Sequence, residues 1–395
     1  MLEKRYSSEI VYVKANLVSD FRHQNKFVKC RAVNDLHHAK DAYLNIVVGN
    51  VYNTLYNHNG PYFLKGIRER EFSASKIFDH EVKGAWSVEK GSRSIDTVNK
   101  TMAKNNIRFT RYSFKQKGGL FKQTIQKKGS GQVPLKKNSP KSDIQKYGGY
   151  TSATATYFAL VSYKDKKDKP VRAFVPINLY SVADYEKNPT EYVKSALKDM
   201  GEKASDVSVL IPCVKYNQLL SIDGFRMHIS SKSGGGKQLV CKPAMQLILD
   251  AESEKYIKRI TEYMKKCDEQ KKERPVTDFD CISAEENLRL YCQLCEKTEN
   301  TILKVKFSGL AKILNDGRKK FERLSLYKQC YVLLEVLKIL HCNVTTGDMK
   351  YIIGGKGKNG TVYMGNKLPS EDKVKSFKLI NQSITGLFEQ EIKLI

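Results

Sequence analysis

The chain has 395 residues, 41% hydrophobic and 28% charged, a composition that excludes a disordered tail and allows several domains. Its 69 Lys and Arg residues outnumber 42 Asp and Glu residues and leave a formal charge of +27, which favours a polyanionic partner. The longest apolar stretch, Tyr43–Tyr52, is interrupted by Asn45, Gly49 and Asn50, which excludes a membrane span. Because the N-terminus also lacks an apolar core of signal-peptide length, we expect a cytoplasmic protein.

The first third of the chain predicts a strand at Ile10–Ala15 and then a helix over LVSDFRHQNKF. A stronger helix is predicted to begin at Asn34 or Asp35, either of which can cap it. Its apolar stripe is formed by Leu44, Val48, Val51 and Leu55. A further helix is predicted at Ser94–Lys104.

The basic, Gly- and Pro-bearing stretch Gly118–Lys146 predicts a linker and a domain boundary. Strands are then predicted at GGYTSATATYFALVSY, RAFVPINLY, SVLIPCVKY and FRMHISS, with a short helix at Pro189–Asp199. Later helices are predicted at Ala244–Gln270, Ser283–Thr301, Ala311–Leu314 and Leu326–Leu340. QSITGLFEQEIKLI is predicted to be the final strand. The pattern as a whole predicts a multidomain α+β protein.

Nine cysteines are scattered without a paired framework, which favours reduced thiols. Cys292 and Cys295 form the only CxxC, and no second pair follows at zinc-finger spacing. Core cysteines are therefore the better interpretation.

The helix that begins near Asp35 carries an unusual group of polar residues. Extending its apolar stripe backwards reaches Asp41 and His37, and His38 lies three residues before Asp41. Two interpretations are open from spacing alone. One is a buried acid and imidazole satisfied by hydrogen bonds; the other is part of a two-metal centre for phosphodiester hydrolysis.

Three motifs carry a resemblance to a known family. The run LVSDFR…HHAKDAYLN…VVG resembles the third segment of the split RuvC-like nuclease domain in type II CRISPR effector nucleases. KYGGYTSATATYFALV is similar to the start of that family's PAM-interacting region, and QSITGLFE to its terminal strand. The landmarks follow the family's order over nearly the whole chain.

The resemblance implies roles for particular residues. It makes His38 the catalytic histidine and Asp41 a metal-binding aspartate, with His38 also near the Mg²⁺ or Mn²⁺ ions of the complete enzyme. Lys40 stands where relatives often carry another His, at a position not itself catalytic. The family completes this site with upstream acidic residues and cuts the other strand with an HNH domain, and neither occurs in this sequence. We therefore expect the isolated chain to be inactive.

The segment GGLFKQTI is similar to the family's phosphate-lock loop, which grips the target-strand phosphate beside the PAM. A Gly-Gly turn followed by Lys and a hydroxyl residue can direct several donors at one phosphate. The resemblance assigns this role to Lys122, Gln123 and Thr124.

Family members that read paired guanines place two arginines shortly before the terminal strand. An ungapped alignment from Gln382 puts those positions on Gly365 and Lys367, and no arginine follows Arg323. Lys367 is the best single candidate for PAM reading, as a point charge with less geometric selectivity than arginine. We expect a PAM preference unlike the two-guanine one.

The resemblance implies three parts: 1–117 as an incomplete RuvC-like segment of RNase H-like fold, 118–215 as a β-rich wedge-like unit with the phosphate lock, and 216–395 as the C-terminal PAM-interacting domain. The implied protein is a bacterial antiviral endonuclease. Its expected partners are guide RNA (crRNA and tracrRNA), PAM-bearing duplex DNA and the missing N-terminal portion of the same protein. Two alternatives stay open, a free-standing basic nucleic-acid-binding protein and a nuclease completed by oligomerisation.

Overall fold

A computed structural model describes most of the chain. The described residues are 11–57, 74–120, 125–126, 133–135, 139–150, 153–232, 238–273, 282–300, 304–341, 346–354, 357–359, 362–369 and 374–394. Contacts between residues divide the chain into two compact units. Unit 1 is Met1–Ile107 with Gln246–Ser283, and unit 2 is Arg108–Met245 with Ala284–Ile395. None of the helices in these described ranges is long and apolar enough to cross a bilayer.

The protein combines helices and strands, as the sequence predicts. The helices are α1 Ala15–Gln24, α2 Leu36–Tyr52, α3 Ser94–Met102, α4 Ile144–Tyr147, α5 Val182–Lys187, α6 Pro189–Asp199, α7 Ala251–Gln270, α8 Ala284–Asn300, α9 Lys304–Glu322, α10 Leu326–Leu340 and α11 Lys350–Ile353. The strands are β1 Ile125–Gln126, β2 Val133–Pro134, β3 Gly149–Tyr150, β4 Ala155–Lys164, β5 Pro170–Asn178, β6 Ser205–Val214, β7 Leu219–Ile222, β8 Phe225–Lys232, β9 Gln238–Pro243, β10 Thr346–Asp348, β11 Gly357–Asn359, β12 Val362–Gly365, β13 Phe377–Gln382 and β14 Glu389–Lys393.

Unit 1 is built around the apolar face of α2. The predicted stripe residues Leu44, Val48 and Val51 are fully buried, and Leu55 packs against the same core. The other buried members of this core are Val18, Phe21, Val82, Trp86, Val98 and Met102. The spacing by three and four residues therefore predicted the buried face of α2 correctly.

The strand predicted at Ile10–Ala15 is wrong for the residues that can be described. Val11–Lys14 has no regular secondary structure, and α1 begins at Ala15. Val13 lies against α2, where a Cβ added to Gly49 would meet its Cγ2 at 2.7 Å. The β-branched residues thus pack on a helix, since no strand of the described part of unit 1 is available to pair with them.

The segment that follows β9 returns to unit 1. Asn34 Nδ2 donates to the backbone oxygen of Leu247 over 2.8 Å, and the Asp35 amide donates to Gln246 Oε1 over 3.0 Å. The helix predicted from Ala244 begins only at Ala251, because Asp250 caps it by accepting from the Ser253 amide at 2.8 Å. These contacts join residues more than two hundred positions apart in the sequence.

Unit 2 contains a three-stranded antiparallel sheet in the order β5-β4-β6. Its core includes Tyr157, Val161, Val175 and Ile177 from the strands, with Val193 and Leu197 from α6. The segment after β12 extends this sheet: Phe174 N donates to Asn366 O and Leu368 N donates to Arg172 O, each over 2.8 Å. Lys367 consequently lies beside Ala173 as a bridge partner.

A second, six-stranded sheet of unit 2 has the order β12-β9-β8-β7-β13-β14, with every neighbouring pair antiparallel. The single final strand predicted for QSITGLFEQEIKLI is wrong. The chain turns back after Gln382, with Ser383 N donating to Phe388 O over 2.9 Å and Gly386 at φ +70°. Because a positive φ suits glycine, Gly386 permits the turn, and β13 and β14 form a hairpin.

The remaining helices of unit 2 pack through aromatic contacts. The Tyr291 and Phe321 rings stack with centroids 4.1 Å apart, and Tyr291 donates its hydroxyl to Leu314 O over 2.5 Å. The predicted bounds of α6 and α10 agree with the structure, whereas the helix predicted at Ala311–Leu314 is longer and spans Lys304–Glu322. The division into 1–117, 118–215 and 216–395 concerns functional domains and stays a prediction.

Candidate metal centre and nucleic-acid contacts

Asp41 lies one turn inside α2, at the edge of the buried face. Its Oδ1 accepts a hydrogen bond from Arg22 Nη1 over 2.9 Å, and its Oδ2 accepts from Lys29 Nζ. Burial opposes ionisation of this carboxyl, but the two cations outweigh burial and lower the pKa of Asp41. Both carboxylate oxygens are therefore engaged by positive side chains.

His37 and His38 occupy the first turn of α2 and differ in exposure. His37 is 9% exposed and lies with its Nδ1 3.0 Å from the backbone oxygen of Asn34, while His38 is exposed. Burial lowers the pKa of His37, which favours the neutral imidazole. The two rings lie side by side with centroids 4.2 Å apart.

The structure brings together Asp35, His37 and His38. Each offers one possible ligand atom, and these atoms all lie within 4.8 Å of one another. Among the described residues, no other group of three His, Cys, Asp or Glu side chains meets this distance, so none includes Asp41. The sequence singled out His37, His38 and Asp41, but it assigned Asp35 only to capping, and in the structure the Asp35 side chain makes no capping hydrogen bond.

Lys367 follows β12 at an exposed position of unit 2. Its Nζ lies 2.7 Å from Glu202 Oε2, and the two side chains are 47% and 25% exposed. Gly365, the other position from the ungapped alignment, ends β12. The ammonium predicted to meet DNA is thus already paired with a carboxylate, a partner that no local sequence signal indicates.

The hairpin of β13 and β14 carries a second polar network. Arg226 donates through both Nη atoms to the Glu389 carboxylate, each over 2.8 Å, and Gln382 Nε2 donates to the same carboxylate over 2.9 Å. These donors lower the pKa of Glu389. The network holds the beginning of the QSITGLFE motif against β8.

The predicted phosphate-lock residues Lys122, Gln123 and Thr124 lie outside the described residues. Directly after them, Ile125 and Gln126 form β1, which pairs with β3 in the KYGGY motif. The role assigned to the three residues stays a prediction.

The chain matches the models of two known protein domains. Residues 117–390, more than half of the chain, match the model of the PAM-interacting domain of CRISPR-associated endonuclease Cas9. Residues 2–150 match the Cas9 RuvC domain. The chain belongs to the Cas9 family.

Two Cas9 relatives agree with these matches. The CRISPR-associated endonuclease Cas9 of Streptococcus mutans is 29% identical over 212 residues, which cover 47% of this chain and 16% of the relative. The Cas9 of Listeria innocua is 29% identical over 250 residues, covering 58% of this chain and 18% of the relative. The chain thus spans less than a fifth of the length of these curated relatives. The resemblance drawn from the sequence motifs to this nuclease family is confirmed.

A Cas9 RuvC domain implies dependence on divalent metal ions, and Asp41 and His38 are the residues that the sequence assigned to them. The described surroundings of Asp41 do not fit such an ion: both oxygens are held by Arg22 and Lys29. A single carboxylate also offers fewer oxygen ligands than Mg²⁺ requires. Among the described residues, Asp41 is therefore not part of a group of side chains that could hold such an ion.

Lys40 also has a defined place in this Cas9 segment. Its Nζ donates to Asn105 Oδ1 over 3.1 Å. Lys40 thereby connects the first turns of α2 to the segment after α3.

Proposed function

We propose that this chain is the C-terminal part of an RNA-guided DNA endonuclease of CRISPR antiviral defence. It binds the guide RNA scaffold, formed by crRNA and tracrRNA, together with duplex DNA beside the PAM. The observation that carries the proposal is the succession of Cas9 RuvC and PAM-interacting matches along the chain. The charge of +27 supports it, because phosphate backbones attract Lys and Arg without regard to sequence.

In this proposal, Asp41 and His38 supply part of the RuvC-like site that cuts the non-target strand. The complete enzyme uses Mg²⁺ or Mn²⁺, with further acidic ligands from the missing N-terminal portion of the same protein. The pairing of Asp41 with Arg22 and Lys29 supports an incomplete site, since the carboxylate is neutralised by the chain itself. The isolated chain therefore does not cleave DNA.

In the same proposal, the residues that follow the nuclease segment bind DNA and recognise the PAM. Lys122, Gln123 and Thr124 hold the target-strand phosphate beside the PAM, and Lys367 donates to a base edge. A lysine is a point charge without the fork of arginine, so the PAM preference differs from that for two guanines.

The test joins the chain to the missing N-terminal portion and guide RNA, with Mg²⁺ and a plasmid library of randomised PAM sequences. We expect nicking of the non-target strand, loss of that nicking in Asp41→Asn, and retained PAM-dependent binding. Asp96→Asn is the matched control, because Asp96 lies in the same unit, is exposed and pairs with Arg93 over 2.9 Å. The control enzyme should cut as well as the unaltered one.

Assays on the isolated chain distinguish the proposed function from its two alternatives. With Mg²⁺, guide RNA and supercoiled DNA it should bind but not nick. Nicking by a purified oligomer of the chain, abolished in Asp41→Asn, would contradict the proposal and support a site completed by oligomerisation. Failure of the joined protein to bind DNA in a guide-dependent way would instead support a free-standing basic binding protein.

A further inference from the structure

The turn that begins α2 holds a donor set of a kind different from the one expected for Mg²⁺. Asp35 offers a carboxylate oxygen, and His37 and His38 each offer an imidazole nitrogen, all within 4.8 Å of one another. Imidazole nitrogens combined with one carboxylate suit Zn²⁺, Co²⁺ and Ni²⁺, whereas Mg²⁺ prefers oxygen ligands and bound water.

One hydrogen bond of His37 determines which of its ring nitrogens carries the proton. Its Nδ1 lies 3.0 Å from the backbone oxygen of Asn34, and a carbonyl oxygen can only accept a hydrogen bond. The proton of a neutral His37 ring is therefore on Nδ1, which leaves the lone pair of Nε2 for a ligand. Metal-bound histidines commonly donate their second nitrogen to a backbone carbonyl in this way.

The turn that carries these donors is held by several hydrogen bonds. Asn34 donates its side-chain amide to Leu247 O over 2.8 Å and accepts from the Leu36 amide over 3.1 Å. The Asp35 amide donates to Gln246 Oε1 over 3.0 Å. A turn anchored at several points loses little conformational entropy when it binds an ion, which favours affinity.

Asp41 does not belong to this group. Its two oxygens are held by Arg22 and Lys29, and the cluster of three donors forms without it. The two features of α2 thus separate into a carboxylate paired with cations and a nitrogen-rich group one turn earlier.

We propose that Asp35, His37 and His38 form a binding site for a transition-metal dication of the Zn²⁺ class. The site supplies three protein ligands and leaves the rest of the coordination sphere to water. It is distinct from the Mg²⁺ or Mn²⁺ centre to which Asp41 is assigned, although both draw on His38.

The test is calorimetric titration of the 395-residue chain with Zn²⁺ in excess Mg²⁺, repeated with Co²⁺ and followed by visible absorption. Because free thiols are also ligands for such ions, the result is read as a difference between variants. Asp35→Asn and His37→Gln should each lower the affinity for one bound Zn²⁺ ion by at least about tenfold. The matched control Asp96→Asn, which removes a carboxylate from an exposed ion pair of the same unit, should leave the affinity for that ion unchanged to within about twofold.

Two results would overturn the proposal. One is unaltered affinity in both Asp35→Asn and His37→Gln, and the other is a loss in Asp96→Asn as large as that in His37→Gln. Circular dichroism checks that each variant folds. If the buried position does not tolerate His37→Gln, His38→Gln replaces it, because His38 is exposed. No nucleic acid is present, so the outcome is independent of the proposed nuclease function.

Discussion

Arg22 and Asp41 form an ion pair that joins the last turn of α1 to α2, with 2.9 Å between Nη1 and Oδ1. Their side chains are only 14% and 23% exposed, so water screens the pair less than it screens surface pairs. Lys29 contacts the second carboxylate oxygen. The aspartate assigned to metal binding is therefore also a structural connection within unit 1.

Asp41→Asn should destabilise the isolated chain. Removing the charge leaves Arg22 and Lys29 without their anion in a partly buried place, which should lower the free energy of unfolding of unit 1 by about 1–3 kcal/mol. Urea unfolding followed by circular dichroism measures the change. Asp96→Asn, which removes an exposed partner of Arg93, should cost no more than about 1 kcal/mol. Equal effects of the two substitutions would contradict the structural role.

The Asp41 carboxylate should also make the stability of the chain depend on pH in the acid range. The pKa of Asp41 is lowered in the folded chain, so its contribution to stability is present above the ordinary carboxyl value and is lost as the pH falls through the folded value. Below about pH 4, unfolding free energy should fall more steeply in the unaltered chain than in Asp41→Asn. Parallel curves from urea titrations at each pH would be evidence against this linkage.

His228, in unit 2, should give the stability of the chain a second dependence on pH. It is 1% exposed, its Nδ1 lies 2.8 Å from Asn217 O, and its Nε2 has no hydrogen-bond partner among the described residues. Burial lowers the pKa of His228 to about 4. Between about pH 6.5 and 4 the unfolded chain binds a proton that the folded chain does not, so stability should fall with pH by up to about 3 kcal/mol.

Urea unfolding of His228→Gln across that pH range checks this expectation. The substitution removes the titrating group, so the fall in stability between neutral pH and pH 4 should be smaller. His80→Gln is the control because His80 is exposed. A pH dependence that persists unchanged in His228→Gln would show that another group is responsible.

In the proposed function Lys367 contacts DNA, and its ion pair with Glu202 should weaken that contact. Glu202→Gln removes the carboxylate that lies 2.7 Å from Lys367 Nζ, so the affinity for PAM-bearing duplex should rise. The slope of log affinity against log salt concentration should become steeper by about one unit, because one more phosphate is neutralised. Lys367→Gln should have the opposite effect. Fluorescence anisotropy over a range of salt concentrations gives both quantities.

Asp206→Asn serves as the matched control for Glu202→Gln. It removes one negative charge from the same unit, where Asp206 pairs with Lys164 over 2.8 Å, and asparagine tolerates the φ of 50° at this position. The same change in affinity for Asp206→Asn and Glu202→Gln would indicate a general charge effect without a role for Lys367.

Zn²⁺ should inhibit the complete nuclease, a prediction that rests on both proposals. An ion held by Asp35, His37 and His38 withdraws His38 from the nuclease centre, so micromolar Zn²⁺ in excess Mg²⁺ should reduce nicking of the non-target strand. The measurement is the ratio of nicking rates with and without Zn²⁺ for each protein. Asp35→Asn should restore this ratio toward one. An identical ratio in Asp35→Asn would separate the inhibition from this site.

Local patterns in the sequence were sufficient to predict several helices and the face that α2 buries. The spacing of Leu44, Val48 and Val51 predicted the buried face of α2, and apolar periodicity predicted α10 within its observed bounds. Such patterns succeed because helix periodicity and burial depend on neighbouring residues. The ordered motifs were likewise sufficient to identify the nuclease family.

Only the tertiary structure decided which partners the candidate residues have. Lys29 and Arg22 lie 12 and 19 positions from Asp41, and Leu247 lies 213 positions from Asn34, so no local pattern connects them. The same holds for Val11–Lys14, whose β-branched residues indicate a strand but lie without regular structure. A strand needs a paired neighbour, and a charge takes its pKa from whatever surrounds it, so both depend on contacts made in folding.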